Sequence, residues 1–187
     1  MRVIDQREIQ SRGGVCAGAP VSCLLKDMLI HNNIDYRELK ILDTTYGEGR
    51  FYLAWRPRLL LGSDIMIHEW KARPDWFTLS PAWEAWSMVK KLGIGIDMVV
   101  SDPPWSKHGH TRRKPFNILY GTPEDILRGS MRTAEKTSAR YLLIHYPIVV
   151  ELEKWETIDI VEFHPVSRYI NNIENIKSYF ILMEKRG

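Results

Sequence analysis

Cysteine is scarce in this chain of 187 residues: only Cys16 and Cys23 occur. Two cysteines do not make a disulfide framework, and they read as two separate thiols, reduced or buried, in a cytoplasmic protein. Neither has His or Cys partners nearby at ligand spacing, so no metal centre is expected. No apolar run approaches the roughly 18 residues that a membrane span needs. The opening M-R-V-I-D-Q-R-E-I-Q lacks the apolar stretch of a secretory signal. Repeats, low-complexity tracts and linkers are also missing, so residues 1–187 read as one domain, with 1–19 irregular around Gly13-Gly14. A large charge excess is absent too. The formal net charge of +3 permits a nucleic-acid partner without requiring one.

What is present is an alternation of two periods. Pro20 to His31 carries apolar residues at helical spacing, with Pro in the first turn. Short apolar runs follow at 38–43, 58–64 and 96–100. Between the last two, 81–93 reads as a helix with Pro early, Lys late and Gly93 at its end. Residues 122–136 form a second well-marked helix, with Thr122 as cap, Pro123 next and acids in the first turn. Tyr141 to Tyr146 is a strand, and two more strands near 157–164 and 178–185 close the chain as an antiparallel pair. Nearly continuous apolar strands alternating with helices predict an α/β fold with a mostly parallel sheet covered on both faces. Ligands in such folds sit at the carboxyl ends of the strands.

Two strand ends stand out. The run ending at Asp43 continues as D-T-T-Y-G-E-G, where glycines permit a tight turn and close approach of backbone amides to a ligand. It is not a dinucleotide fingerprint, since Tyr52 stands where the third glycine belongs, nor a phosphate loop, since R-F-Y replaces G-K-[ST]. Asp64 ends the next strand, where a carboxylate can accept hydrogen bonds from ribose hydroxyls. The second strand end is V-V-S-D-P-P-W, residues 99–105. Two prolines fix φ and remove backbone donors, so the chain there is neither helix interior nor central strand. The turn presents an acid, a rigid carbonyl and a large aromatic face.

The order of these parts resembles that of the S-adenosylmethionine-dependent amino-methyltransferases of nucleic acids. D-P-P-W is similar to the tetrapeptide of the adenine-N6 enzymes, and a cofactor loop placed before the catalytic loop resembles the gamma arrangement. The resemblance covers about residues 20–185. It implies a Rossmann-like class I methyltransferase with a seven-stranded sheet whose last strand is antiparallel. It also implies S-adenosylmethionine as cofactor, with Asp43, Thr45, Gly47 and Gly49 along its methionine part, Asp64 on the ribose and Ile65 against the adenine. Asp75 is a further candidate near the adenine amine, although 64–75 is short for the usual helix and strand. Asp102, Pro103, Pro104 and Trp105 become the catalytic set, acting on the N6 amine of adenine in nucleic acid.

Lys107, His108, Arg112, Arg113 and Lys114 follow the tetrapeptide as a basic loop suited to phosphates. Arg168 and Tyr169, between the last two strands, are candidates to meet the target base. The motif order favours DNA over RNA. Little chain remains for a separate target-recognition domain, so specificity is expected from short loops, a homodimer or a partner subunit. Two other readings stay open: methylation of another exocyclic amine (cytosine N4 or guanine N2 in RNA), and a non-catalytic nucleic-acid-binding subunit with this fold. Trp105→Ala is expected to weaken base binding by about 1–3 kcal/mol, read as a raised KM for the nucleic acid; unchanged kinetics would make Trp105 a packing residue only.

Overall fold

The computed structural model describes residues 1–103, 122–166 and 177–187. Among these, eight strands form one sheet: β1 (Arg2–Asp5), β2 (Lys40–Asp43), β3 (Leu59–Asp64), β4 (Trp76–Leu79), β5 (Met98–Ser101), β6 (Tyr141–Tyr146), β7 (Trp155–His164) and β8 (Ser178–Lys185). Their order across the sheet is β1-β7-β8-β6-β5-β2-β3-β4. β8 runs antiparallel to both of its neighbours, β6 and β7, and every other pairing is parallel. The helices are α1 (Gln6–Gln10), α2 (Val15–Gly18), α3 (Pro20–His31), α4 (Trp86–Leu92) and α5 (Pro123–Lys136).

Adjacent residues of a strand point to opposite faces, and both faces are covered. Ile41, Leu60, Val100, Leu143, Phe180 and Leu182 pack with Leu24, Leu25, Met28 and Leu29 of α3. Their neighbours Leu42, Leu61, Val99, Leu142, Ile181 and Met183 pack with α4 and α5 through Met88, Val89, Leu127 and Ala134. This double burial is why these strands read as continuous apolar runs. Thr122 caps α5 by accepting the Asp125 N–H at 3.1 Å, and the Asp125 carboxylate returns the contact to the Thr122 N–H at 3.1 Å. Gly93 closes α4 at φ 63°.

Three expectations need correction. The sheet has an eighth strand, because residues 1–19 are not irregular. β1 pairs with β7 from Arg2↔Val161 to Asp5↔His164, and Arg2 forms an ion pair with Asp159 at a bulge in β7. Alternation in R-V-I-D is too short to announce a strand, and its partner lies more than 150 residues away. The two cysteines are not separate thiols: Cys16 and Cys23 are joined by a disulfide, with Cα atoms 5.7 Å apart. The break at Ala19, φ −136° and ψ 57°, folds α2 back on α3 and brings the pair within bridging range. The helix expected over 81–93 begins only at Trp86. Among the described residues no α-helix joins β2 to β3 or β3 to β4, in keeping with the loop read after Asp43 and the shortness of 64–75. Aromatic rings fill the space instead: Tyr46 stacks on Tyr52 at 5.8 Å, and Tyr52 meets Trp55 at 5.3 Å.

No helix among the described residues is long and apolar enough to cross a membrane. Phe180 is fully buried on β8 between Phe51, at 6.0 Å, and Phe163, at 5.8 Å. Phe180→Ala is expected to cost about 3–5 kcal/mol of stability, measured by urea unfolding; a loss below about 1 kcal/mol would mean that the neighbouring rings collapse into the space.

Candidate active site

β2 and β5 are hydrogen-bonded neighbours, yet their chains leave the sheet in different directions, and the site lies where they part. Thr44 ties the two ends together: its N–H and its hydroxyl both donate to the Val100 carbonyl, at 3.0 and 2.9 Å. Beneath this, the hydroxyls of Thr44, Ser101 and Ser130 form a buried cluster with contacts of 2.7 and 2.9 Å, joining both strands to α5. Thr45 makes the next link. Its Oγ1 accepts the Asp102 N–H at 2.6 Å, while its own N–H donates to Asp43 at 3.0 Å. The glycine loop and the proline turn are therefore braced against each other through one threonine.

The loop itself depends on left-handed backbone. Gly47 has φ 51° and Gly49 φ 73°. A Cβ on Gly49 would come within 2.5 Å of the Ala72 carbonyl oxygen, so a side chain there would force the loop open. Gly47 donates its N–H to Asp64 at 3.0 Å, and the same carboxylate accepts the Met66 N–H at 3.1 Å. Asp64 is thus oriented at the end of β3, with the His68 ring 3.8 Å away.

Two cavities open here. One, of about 390 Å³, is lined by Asp64, Ile65, Ser80, Trp83, Pro103 and Ile126. The other, of about 690 Å³, runs under the first helices and is lined by Asp43, Tyr46, Glu48, Arg50 and Phe51 with Pro20 and Ser22. Thr45, Gly47, Asp102 and His145 line both. Asp43 is 3 % exposed and accepts the Tyr52 hydroxyl at 2.9 Å. Burial, reinforced by the Asp102 and Asp64 charges and only partly offset by the Thr45 and Tyr52 hydrogen bonds, pushes its carboxyl up to about 7.

Asp43, Thr45, Gly47, Asp64, Ile65, Asp102 and Pro103 all line these cavities, and Gly49 shapes the loop that frames them. Asp75 is not brought to the group. It lies beside the start of β3, where its carboxylate accepts from the Leu60 N–H at 2.7 Å and the Arg56 guanidinium at 2.6 Å. With β3 and β4 in register from Leu61↔Trp76 to Asp64↔Leu79, four residues of strand, about 13 Å, separate it from the level of Asp64. The carboxyl end of β4 offers Ser80 and, in the following turn, Trp83 instead. Pro104, Trp105, Lys107, His108, Arg112, Arg113, Lys114, Arg168 and Tyr169 lie outside the described residues.

Sequence reasoning missed three contributors. Trp83 was absorbed into the expected helix. Tyr52 stood out only as a missing glycine. His145 sits on β6 with Nδ1 2.8 Å from Asp102 Oδ1; a lone imidazole in the apolar run Y-L-L-I-H-Y was its only signal.

No family's sequence profile matches the chain, and no curated protein matches its sequence. Solved structures do. Magnesium protoporphyrin IX methyltransferase (ChlM) from Synechocystis PCC 6803 with bound SAM superposes with a TM-score of 0.55 at 15 % identity, over 90 % of this chain and 80 % of that one. The same enzyme with bound SAH gives 0.54 at 14 % identity, over 92 % and 85 %. yhhF from Escherichia coli, provisionally assigned as a methyltransferase, gives 0.53 at 13 % identity, over 90 % and 88 %. The chain has the fold of the S-adenosylmethionine-dependent methyltransferases. At such identities the likeness defines architecture, and the chemistry has to be argued from the site.

Asp43 gives a pH prediction. In the folded chain it keeps its proton up to about pH 7, whereas its ordinary value is 3.8. The folded state therefore binds more protons in that window, and stability falls as pH rises through it. Asp43→Asn removes this term. The variant is expected to gain stability relative to the parent progressively between pH 4 and 7, followed by urea unfolding; parallel pH curves would refute the assignment.

Proposed function

We propose that the protein is an S-adenosylmethionine-dependent methyltransferase that acts on the N6 amine of adenine in nucleic acid, with DNA the favoured polymer. The observation that carries the reading is the grouping of Asp43, Asp64 and Asp102 around two adjoining cavities, with the first two ending neighbouring strands and the third opening the proline turn. This fits the cofactor chemically. Asp64 has the position and polarity to accept from ribose hydroxyls, and Ile65, Trp83 and Ile126 offer apolar walls for the adenine. The Asp64 and Asp102 charges gathered beside the buried Asp43 carboxyl, whose pKa they help to raise, favour a ligand bearing positive charge, as the sulfonium and ammonium of S-adenosylmethionine do.

When bound, S-adenosylmethionine supplies a methyl group already activated on sulfur. The protein's work is then placement. The adenine amine is a weak nucleophile because its lone pair is delocalised into the ring. A carboxylate oxygen of Asp102 accepting one N–H, with the Pro103 carbonyl as second acceptor, favours a pyramidal nitrogen with its lone pair free. The nitrogen would take the methyl from the sulfonium sulfur, and Asp102 or solvent would accept the one proton it sheds. A base taken from a duplex has first to leave the stack, at a cost of a few kcal/mol. Trp105 and the basic residues from Lys107 to Lys114 are the proposed base and phosphate contacts, with Arg168 and Tyr169 on the second loop. The intact D-P-P-W tetrapeptide favours adenine over cytosine as the target.

The first test is methyl transfer from labelled S-adenosylmethionine to duplex DNA, single-stranded DNA and RNA, followed by nucleoside digestion and mass spectrometry. N6-methyladenine in one pool is the expected product. Asp102→Ala is expected to lower turnover by about 100-fold or more while cofactor affinity stays within a few-fold; retained turnover would overturn the catalytic assignment. Cofactor binding without label in any pool would redirect the search to a partner or another acceptor. Absence of cofactor binding would favour a non-catalytic subunit.

A further inference from the structure

The D-P-P-W tetrapeptide does not account for His145. The residue lies on β6, the strand beside β5, which ends at Ser101 just before Asp102. Its Nδ1 is 2.8 Å from Asp102 Oδ1, and its Nε2 is 2.8 Å from Ser178 Oγ on β8. The ring lies flat on Phe180, with centroids 4.0 Å apart and planes 1° apart, and Phe51 meets it edge-on at 6.1 Å. Phe180 is fully buried. Stacking thus fixes the plane of the imidazole, and two polar contacts on different ring nitrogens fix its rotation within that plane. Ser178 is itself only 1 % exposed.

The contacts also order the hydrogens. An ionised carboxylate only accepts, so the Nδ1 facing Asp102 carries a hydrogen. In the neutral ring Nε2 is then an acceptor, and the Ser178 hydroxyl is the donor facing it. The donors therefore run one way, from Ser178 to His145 to Asp102. A carboxyl group at the head of a turn has two freedoms: its main-chain position and the rotation of its side chain. The Thr45 hydroxyl holds the first through the Asp102 N–H. Among the described residues, only His145 holds Oδ1.

We infer that His145 is a positioning residue for Asp102: oriented by Ser178, it occupies Oδ1 with a donated N–H and leaves Oδ2 as the acceptor for the target amine. The inference rests on the methyltransferase reading above. It leaves the balance of that reaction unchanged, since the amine proton goes to Oδ2 or solvent and His145 keeps its own. Its consequence is geometric. Loss of the donor lets the carboxylate rotate, and small misplacements of a reacting group carry large rate penalties.

Three variants separate this role from packing. His145→Phe keeps a ring against Phe180 and removes both polar contacts. His145→Asn restores an amide N–H close to the place of Nδ1. Ser178→Ala keeps the imidazole and removes its orienting donor. With the nucleic acid that takes up label as acceptor, His145→Phe is expected to lower kcat roughly 100-fold with little change in the KM for S-adenosylmethionine. His145→Asn recovers most of that loss, and Ser178→Ala falls between. A full rate in His145→Phe, or as large a loss in His145→Asn as in His145→Phe, overturns the inference. If the unmodified protein methylates no pool, the reaction reading fails separately, and imidazole ¹⁵N NMR then judges the pair. The expected result is an Nδ1–H tautomer at His145 that becomes a mixture in Asp102→Ala. An Nε2–H tautomer, or a spectrum unchanged in Asp102→Ala, overturns it.

Discussion

The pairing of β2 with β5 is the constraint on which the site depends. Registered from Ile41↔Met98 to Asp43↔Val100, the two strands end at the same level and then diverge. Neither strand follows the other in sequence, so no local turn holds them together. Main-chain bonds, Thr44 and the buried Thr44–Ser101–Ser130 hydroxyls do so. Three parts of the cavity walls hang from this junction: the glycine loop from one strand, the proline turn from the other, and Thr45 across the gap. A hydroxyl cluster in such a place is a demanding choice, because a buried polar group without a partner costs about 1–3 kcal/mol. Here each of the three hydroxyls has one. The cluster specifies how the strand ends meet, which a purely apolar contact would leave looser.

The same junction concentrates negative charge. Asp43 and Asp64 come from adjacent strands, and Asp102 from the turn between them and β6. Folding holds them together against their repulsion. Asp43 is the one that yields, because it is the most deeply buried and cannot share its charge with water. Its Tyr52 partner belongs to the aromatic group packed between β2 and β3. The loop's packing and the site's electrostatics are therefore one arrangement seen from two sides.

The parallel core was legible in the sequence because doubly buried strands are apolar throughout and their helices carry caps and stops. Asp43, Asp64 and Asp102 stood out because they lie at or just past the carboxyl ends of such strands, where ligands sit in these folds, and the structure gathers them around two cavities. What escaped notice was non-local. β1 finds its partner at the other end of the chain. The disulfide depends on a kink at Ala19, which Pro20 favours by disfavouring helical backbone before it, but the return of α2 onto α3 is not written in the local sequence. Asp75 already stood too close to Asp64 along the chain for the usual helix and strand, and the register of β4 puts it at the far end of the strand. His145 is invisible in one dimension, since its meaning comes from the strand next to it.

Thr45, Gly47, Asp102 and His145 form a common wall with one chamber on each side. A partition of this kind makes genetics on the site asymmetric. Changes in the wall disturb both chambers together, so their effects on two ligands will rise and fall as one and cannot be apportioned. Trp83 faces one chamber alone and Phe51 the other, and substitutions there report on a single occupant. A map of which variants separate two binding events and which do not would trace the partition without any ligand-bound structure.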